Sequence, residues 1–197
     1  MFRQANSEMM TIIGITGGIG SGKSLVCRML EEHGYAVFYC DDEAKRIIRS
    51  DAQVREALSR LIEGVYNADG ALRKSVLAAY LCRGTDHAAR VDAIVHPAVR
   101  RAFIAWAERQ TAPRVFMECA LLFESGFDQL CHQTALVYAP ADVRIERVMQ
   151  RDGVSREQAL RWMALQMPEE EKRRRAHHII YNAREGEMPD IAPLLNN

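Results

Sequence analysis

Residues 17–24 read Gly-Gly-Ile-Gly-Ser-Gly-Lys-Ser and fit the pattern G-x-x-x-x-G-K-[ST] at every fixed position. Glycines let a backbone curl closely around a phosphate, whose oxygens accept hydrogen bonds from successive backbone N–H groups. Lys23 is placed to reach the β- and γ-phosphates of a nucleoside triphosphate, and the Ser24 hydroxyl is placed to coordinate Mg²⁺. We therefore predict an ATP and Mg²⁺ site. The residues predicted to contact the nucleotide are Gly18, Ile19, Gly20, Ser21, Gly22, Lys23, Ser24 and Leu25.

Acidic side chains are predicted to lie where two strands end. Asp41 and Asp42 follow a short apolar run at 36–39, and Glu118 ends another at 115–118. In an open α/β sheet, ligands bind beyond the carboxyl ends of the strands. A carboxylate there can accept a proton from a substrate hydroxyl or hold Mg²⁺. We assign catalysis to Asp41, capping of the next helix to Asp42, and metal contact to Glu118.

Three arginines recur at roughly helical spacing after the fourth predicted strand: Arg144, Arg147 and Arg151. A transferring phosphoryl group needs cations around its oxygens, so these side chains are expected to line one face of a mobile lid over residues 140–175. Each of them could equally be a solvated surface arginine. Nearby, the acidic run at 169–171 stands four residues before the basic run at 173–175, which predicts i,i+4 pairs on a surface helix.

The elements that must position these residues alternate between strand and helix. A β-branched run at 11–16 leads into the glycine loop, and helical spacing follows over 23–33. Further strand candidates lie at 135–138 and 179–181. This alternation predicts a three-layer α/β fold, in which a five-stranded parallel sheet is covered by helices on both faces.

The chain is predicted to be one domain over residues 10–197, preceded by a disordered tail at 1–9. Residues 46–111 have almost purely helical periodicity and are interpreted as a helical insertion. Breaks in that insertion are expected at Gly64, at the turn 67–70, at Gly84 and at Pro97.

The composition limits the partners and the location. Lys plus Arg and Asp plus Glu both total 26, so no net charge favours nucleic acid or an anionic membrane. No apolar stretch approaches the roughly 20 residues that span a bilayer. The five cysteines never form a C-x-x-C pair, which indicates a reducing, cytoplasmic protein. The lone His96 and the pair His177 and His178 have no partners at metal-ligand spacing.

Other classes of phosphate-loop protein are disfavoured. The chain lacks the D-x-x-G and N-K-x-D sequences expected of a GTPase, and it is shorter than motor or transporter ATPases. Its length suits a small-molecule kinase.

Beyond the glycine loop, the chain resembles the dephospho-coenzyme A kinases, the family that performs the last step of coenzyme A synthesis. The similarity runs from about residue 10 to Asn182. It is carried by residues 13–24, Asp41, Ile94-Val95-His96-Pro97, Leu121-Leu122-Phe123-Glu124, Arg147, Arg151-Asp152-Gly153, Gln166 and Ile179-Ile180-Tyr181-Asn182.

The resemblance implies transfer of the ATP γ-phosphate to the ribose 3′-hydroxyl of dephospho-coenzyme A. It implies that Asp41 is the base and that Lys23, Arg147 and Arg151 stabilise the transferring group. It places Asn182 near the adenine of ATP and makes the insertion the acceptor-binding part. The substrate-binding residues it implies are Asp41, His96, Leu121, Phe123 and Glu124. A monomer or weak homo-oligomer is expected.

The sequence departs from the family pattern at four positions. Tyr39 and Glu118 stand where the family usually has aspartate, Ala120 where it usually has proline, and Trp162 where it usually has arginine. Two alternatives stay open at this point. One is a kinase for another nucleoside or nucleotide on the same fold. The other is a regulator that binds ATP without turnover.

Overall fold

The sheet positions the glycine loop and is built from five parallel strands. The computed structural model describes residues 10–183 and 186–195, so the tail predicted at 1–9 lies outside the described residues. The strands of the described chain are β1 (Thr11–Thr16), β2 (Ala36–Tyr39), β3 (Arg114–Glu118), β4 (Gln133–Tyr138) and β5 (His178–Tyr181). Their order is β2-β3-β1-β4-β5, with every pairing parallel. The predicted five-stranded α/β fold is therefore confirmed.

Helices alternate with the strands along the chain. Within the described residues they are α1 (Lys23–Glu32), α2 (Cys40–Ser50), α3 (Ala52–Leu61), α4 (Lys74–Leu81), α5 (Thr85–Ala107), α6 (Ala141–Asp152), α7 (Arg156–Ala164), α8 (Glu169–Arg175) and α9 (Ala192–Leu195). None of these helices is both long and apolar enough to cross a membrane.

Alternation along the strands builds the core of the sheet. Ile13 and Ile15 of β1 are buried in one cluster with Val26 and Leu30 of α1. Because successive strand residues point to opposite faces, this cluster fixes the face on which α1 packs. Gly14 points the other way, where a Cβ would lie 2.8 Å from Leu122 Cδ2. The segment after β3 therefore contacts the opposite face directly.

The described chain divides into two compact units. The sheet unit comprises the described residues of Met1–Tyr39 and Ala107–Asn197, and the helical unit comprises Cys40–Trp106. The insertion was predicted at 46–111, so both ends of the helical unit lie a few residues earlier in the chain. The change of unit falls directly after β2.

In the helical unit, the turn predicted at 67–70 is present, with Gly70 N–H donating to Asn67 O at 3.0 Å. The break predicted at Pro97 is wrong, because α5 continues through it. Val95 and Val99 are buried on either side of Pro97. Packing of this apolar stripe stabilises the helix although the proline removes one backbone donor.

Candidate active site

The glycine loop joins the end of β1 to the start of α1. Lys23, the first residue of α1, donates from Nζ to Gly17 O at 2.9 Å. Ser21 N–H donates to Gly18 O at 3.0 Å, so the loop curls back on itself. Ser24 and Leu25 lie in the first turn of α1, where backbone N–H groups and the helix dipole favour an anion. This geometry is that of a phosphate-binding loop.

Two glycines of the loop are required by the close approach of α6. Gly20 has a φ of +79°, and a Cβ there would lie 2.5 Å from Arg144 O. A Cβ at Gly18 would overlap Arg144 Nη1. A side chain at Gly20 would displace the loop or the backbone of α6, whereas one at Gly18 would displace the guanidinium of Arg144. The sequence of the loop therefore also sets where α6 packs.

Arg147 and Asn182 hold the loop against the end of β5. Asn182 is 6% exposed, and its Nδ2 donates to Ser21 O at 2.8 Å. Arg147 Nη1 donates to Asn182 O at 3.0 Å and lies 3.5 Å from Gly20 O. Asn182 was predicted to lie near the adenine of ATP and Arg147 to stabilise the transferring phosphoryl group, and both contact the loop. Contact of Asn182 with adenine and a catalytic role for Arg147 stay predictions.

A short segment after α7 contacts both the glycine loop and the loop after β3. Ile19 N–H donates to Gln166 Oε1 at 2.8 Å. The next residue, Met167, donates its N–H to Glu124 Oε1 at 2.9 Å. Lys172 is fully buried, and its Nζ lies 3.5 Å from the same Glu124 oxygen. Glu124 therefore anchors this segment, while its predicted contact with the acceptor is untested.

The charges of α8 follow the prediction in part. Glu171 and Arg175 form the expected i,i+4 pair, with 2.9 Å between Oε1 and Nη2. Glu169 was expected to pair with Arg173 on a surface helix, but it pairs with Arg144, with Oε2 3.2 Å from Nη1. Arg173 pairs instead with Glu170 at 3.2 Å. The i,i+4 pattern is local, whereas the tertiary contact places Glu169 beside the glycine loop. A helix that was expected to be mostly solvated is buried at Lys172 and half-buried at Glu169.

Arg151 lies in the last turn of α6 and is directed away from this network. Its Nη2 is 2.7 Å from Asp152 Oδ2, and its side chain is 62% exposed. The hydrogen bond and charge of Asp152 raise the pKa of Arg151, and those of Arg151 lower the pKa of Asp152. The structure does not bring Arg151 to the glycine loop, and its predicted catalytic role stays a prediction.

Glu118, the last residue of β3, is 8% exposed and lies near two groups that stay uncharged. Burial raises the pKa of the Cys27 thiol, and the negative charge of Glu118 raises it further. Burial also raises the pKa of Tyr39, which pairs with Glu118 in the sheet register. Cys27 and Tyr39 are therefore neutral near pH 7, and Cys27 is not a nucleophile.

The loop after β3 places the remaining predicted residues of the sheet unit. Phe123 is buried, and Arg175 lies 5.7 Å from the centre of its ring. Leu121 is half-buried, and its carbonyl accepts a hydrogen bond from Ser125 Oγ at 2.7 Å. Contact of Leu121 and Phe123 with an acceptor stays a prediction.

In the helical unit, Asp41 is an exposed residue in the first turn of α2. Asp42 is the third residue of that helix and pairs with Lys45 at 2.8 Å, so the prediction that it caps the helix is wrong. The helix begins one residue earlier than Asp41. His96 lies on α5 with Nε2 3.5 Å from Asp92 Oδ1.

The residues present fit a nucleotide that carries its own Mg²⁺. Among residues 10–183 and 186–195, no three His, Cys, Asp or Glu side chains converge into a metal site. Mg²⁺ in such proteins is usually held by phosphate oxygens, waters and one or two protein groups. Ser24, exposed at the start of α1, and Glu118, at the end of β3, are the predicted groups.

Sequence reasoning did not assign roles to Gln166, Glu169 or Lys172. Gln166 was noted only as part of the family resemblance, and the acidic and basic runs were interpreted as surface. One feature of the sequence could have indicated these contacts. Arg144 stands three residues before Arg147, so the two arginines share one face of their helix. A buried arginine needs an acid, but the acid that meets it lies on another helix.

Comparison with known proteins agrees with this geometry. The family model described as dephospho-CoA kinase matches residues 11–187. A dephospho-CoA kinase of Bacteroides fragilis is 40% identical over 184 residues, covering 93% of this chain and 89% of that protein. One of Thermus thermophilus is 42% identical over 181 residues, covering 91% of this chain and 86% of that protein.

Solved structures share the fold. A Thermus thermophilus protein superposes with a TM-score of 0.80 at 41% identity, covering 90% of this chain and 91% of that chain. The dephospho-CoA kinase from Campylobacter jejuni gives a TM-score of 0.63 at 24% identity, with 90% of each chain covered. With the family model and the curated relatives, these likenesses show that the chain belongs to the dephospho-CoA kinase family.

Proposed function

We propose that this chain transfers the γ-phosphoryl group of ATP to the ribose 3′-hydroxyl of dephospho-coenzyme A, giving coenzyme A and ADP. The observation that carries the proposal is the glycine loop in a chain of this family. Lys23 closes the loop by donating to Gly17 O, and the buried Arg144 of α6 lies against the loop. A loop of this kind binds phosphates, and the family gives the acceptor.

At the phosphate end, catalysis depends on positioning and charge. Backbone N–H groups of the loop and of the first turn of α1 hold the phosphates, and Lys23 reaches the β- and γ-phosphates. Bound Mg²⁺ would neutralise charge on the phosphate oxygens, with Ser24 and Glu118 as the groups that hold it. Arginines of α6 supply cations around the transferring group.

At the acceptor end, we assign the proton to Asp41. Its exposed carboxylate follows β2 by two residues, at the carboxyl end of a sheet strand. Ligands of open α/β sheets bind at that edge. Asp41 accepts the proton of the 3′-hydroxyl as that oxygen attacks phosphorus, while the helical unit with His96 binds the acceptor. Leu121, Phe123 and Glu124 complete the proposed acceptor contacts.

The cell location and the oligomeric state are also proposals. None of the five cysteines, all of which lie within the described residues, forms a disulfide, which supports a reducing, cytoplasmic location. Large exposed apolar side chains such as Leu81, Leu160 and Met188 are distributed over separate elements and the region before α9. This scatter supports a monomer or weak homo-oligomer, which light scattering of the purified chain would test.

The experiment that tests the function is a coupled ADP-release assay with ATP and Mg²⁺. The acceptors are dephospho-coenzyme A, AMP, a panel of nucleosides, or none, and the product is identified by mass spectrometry. We expect ADP release that requires dephospho-coenzyme A and yields coenzyme A. Lys23→Ala is expected to abolish this release, because the loop then lacks the cation on the β- and γ-phosphates.

Two results would overturn the proposal. Release with AMP or a nucleoside, but not with dephospho-coenzyme A, would assign a different small-molecule kinase. ATP binding without release on any acceptor would indicate a regulator. Arg28→Ala, at an exposed basic residue of α1 in the sheet unit, is the matched control and should release ADP like the wild-type chain.

A further inference from the structure

The glycine loop has an identifiable β/γ-phosphate end. The lysine of such a loop reaches the β- and γ-phosphates. In this chain, Lys23 Nζ lies 2.9 Å from Gly17 O. Gly18 is the next residue, so a side chain that contacts Gly18 lies beside the position of the terminal phosphates.

Arg144 is held at that end by its backbone. Its carbonyl carbon and Cα would both lie 3.1 Å from a Cβ at Gly20, so the start of its side chain is fixed against the loop. From there the side chain extends to Gly18, where Nη1 occupies the space of a Cβ. The guanidinium is therefore placed against Gly18 by contacts within the protein.

The hydrogen bonding of this guanidinium is incomplete. The side chain of Arg144 is 8% exposed, and its ion pair with Glu169 uses Nη1. Among the described residues, Arg144 Nε has no acceptor and Glu169 Oε1 has no donor. A buried charged donor without an acceptor carries a desolvation penalty. Phosphate oxygens accept from two guanidinium nitrogens at once, which would remove that penalty.

The guanidinium groups of the other two arginines of α6 donate to other acceptors. Arg147 Nη1 donates to the backbone carbonyl of Asn182. Arg151 donates to Asp152 from both Nε and Nη2. Arg147 Nη1 also lies 3.5 Å from Gly20 O, so Arg147 contacts the loop through backbone carbonyls. The guanidinium of Arg144 instead lies against Gly18 and pairs with the carboxylate of Glu169.

We propose that Arg144 is the arginine that donates to the terminal phosphate of ATP, and that Glu169 is the positioning residue that holds its guanidinium against Gly18. The proposal rests on the ATP-binding part of the proposed function and is independent of which acceptor is used. The proposal gives Arg144 a role different from those of Arg147 and Arg151, although all three recur at the same helical spacing in the sequence.

The test measures binding of Mg²⁺·ATP and of Mg²⁺·ADP by titration calorimetry, with no acceptor present. Only ATP carries the γ-phosphate. Arg144→Ala is expected to weaken ATP binding by about tenfold or more, the loss typical of hydrogen bonds to charged groups. The same variant should change ADP binding by less than about threefold. Arg144→Lys, which keeps the charge without the planar fork, should fall between the wild-type chain and Arg144→Ala.

Two controls guard against a general effect on folding. Arg60→Ala removes an exposed arginine of α3 that is paired with Glu56, and it should leave both affinities unchanged. Thermal unfolding shows whether each variant is folded.

If Arg144→Ala does not fold, the ratio of ATP affinity to ADP affinity is measured in Arg144→Lys and Arg144→Gln instead. Equal losses for both nucleotides, or no loss, would overturn the assignment of Arg144.

The role of Glu169 is tested by a double-mutant cycle on the same readout. Glu169→Gln should weaken ATP selectively, and Arg144→Ala combined with Glu169→Gln should bind ATP no more weakly than Arg144→Ala alone. Additive losses would overturn positioning by Glu169. Tighter ATP binding in Glu169→Gln would also overturn it, since Glu169 would then compete with phosphate. Because no acceptor is used, failure here is distinct from failure of the ADP-release assay.

Discussion

Two adjacent carboxylates follow β2, and the structure gives them different surroundings. Asp42 pairs with Lys45 at 2.8 Å, and the hydrogen bond with Asp42 raises the pKa of Lys45. Asp41 is exposed at the start of α2. A carboxylate that accepts a substrate proton must be accessible to the substrate, which favours Asp41 over its neighbour.

We expect Asp41→Asn to lower turnover by at least about 10²-fold, the usual contribution of a general base, while ATP affinity stays close to that of the wild-type chain. The amide keeps the size of the side chain and removes its ability to accept a proton. Steady-state ADP release and ATP titration on the same preparation measure the two quantities.

Asp42→Asn is the matched control, because it makes the same chemical change one residue away. It weakens one exposed ion pair, which is worth less than about 1 kcal/mol. Turnover of Asp42→Asn should equal that of the wild-type chain. If Asp41→Asn turns over normally, or if both variants lose activity alike, Asp41 is not the base.

At the scale of elements, the glycine loop packs directly against α6. We expect Gly20→Ala to abolish ATP binding and to lower the free energy of unfolding by more than about 2 kcal/mol. The new Cβ would lie 2.5 Å from Arg144 O and would be attached to a backbone at a φ of +79°. Urea unfolding and ATP titration measure the two effects.

Gly34→Ala is the control that measures the effect of backbone strain without the steric clash expected for Gly20→Ala. Gly34 has a φ of +84°, yet a Cβ there would have no atom within 4 Å among the described residues. The strain alone should lower the free energy of unfolding by about 1–2 kcal/mol and leave ATP affinity unchanged. Gly20→Ala with normal ATP affinity would show that the packing of α6 against the loop is not needed for binding.

Local patterns predicted the elements better than the contacts between them. The run at 11–16 and the glycine loop are set by β-branching and by backbone geometry, which neighbouring residues determine. The continuity of α5 through Pro97 is accompanied by burial of Val95 and Val99, which depends on tertiary packing and not on the local sequence. The pairing of Glu169 with Arg144 joins two helices that are distant in sequence. Such tertiary contacts override local rules and leave no periodic signal.

At the scale of the whole molecule, the sequence indicated a helical insertion within an α/β chain, and the contacts give a helical unit, Cys40–Trp106, and a sheet unit. The helical unit starts earlier in the chain than the predicted insertion because α2 is helical from Cys40, directly after β2, where the sequence signal is still that of a strand end. The acidic residue assigned to catalysis is therefore carried by the first helix of the helical unit.

This division predicts that the two substrates protect different parts of the chain from amide hydrogen exchange. Mg²⁺·ATP should slow exchange at residues 17–24 and 166–172, because the glycine loop and its Gln166 contact become ordered. Dephospho-coenzyme A should slow exchange within Cys40–Trp106. Lys23→Ala should lose the first effect and keep the second, which separates nucleotide binding from acceptor binding. If dephospho-coenzyme A leaves exchange in the helical unit unchanged, that unit does not bind the acceptor.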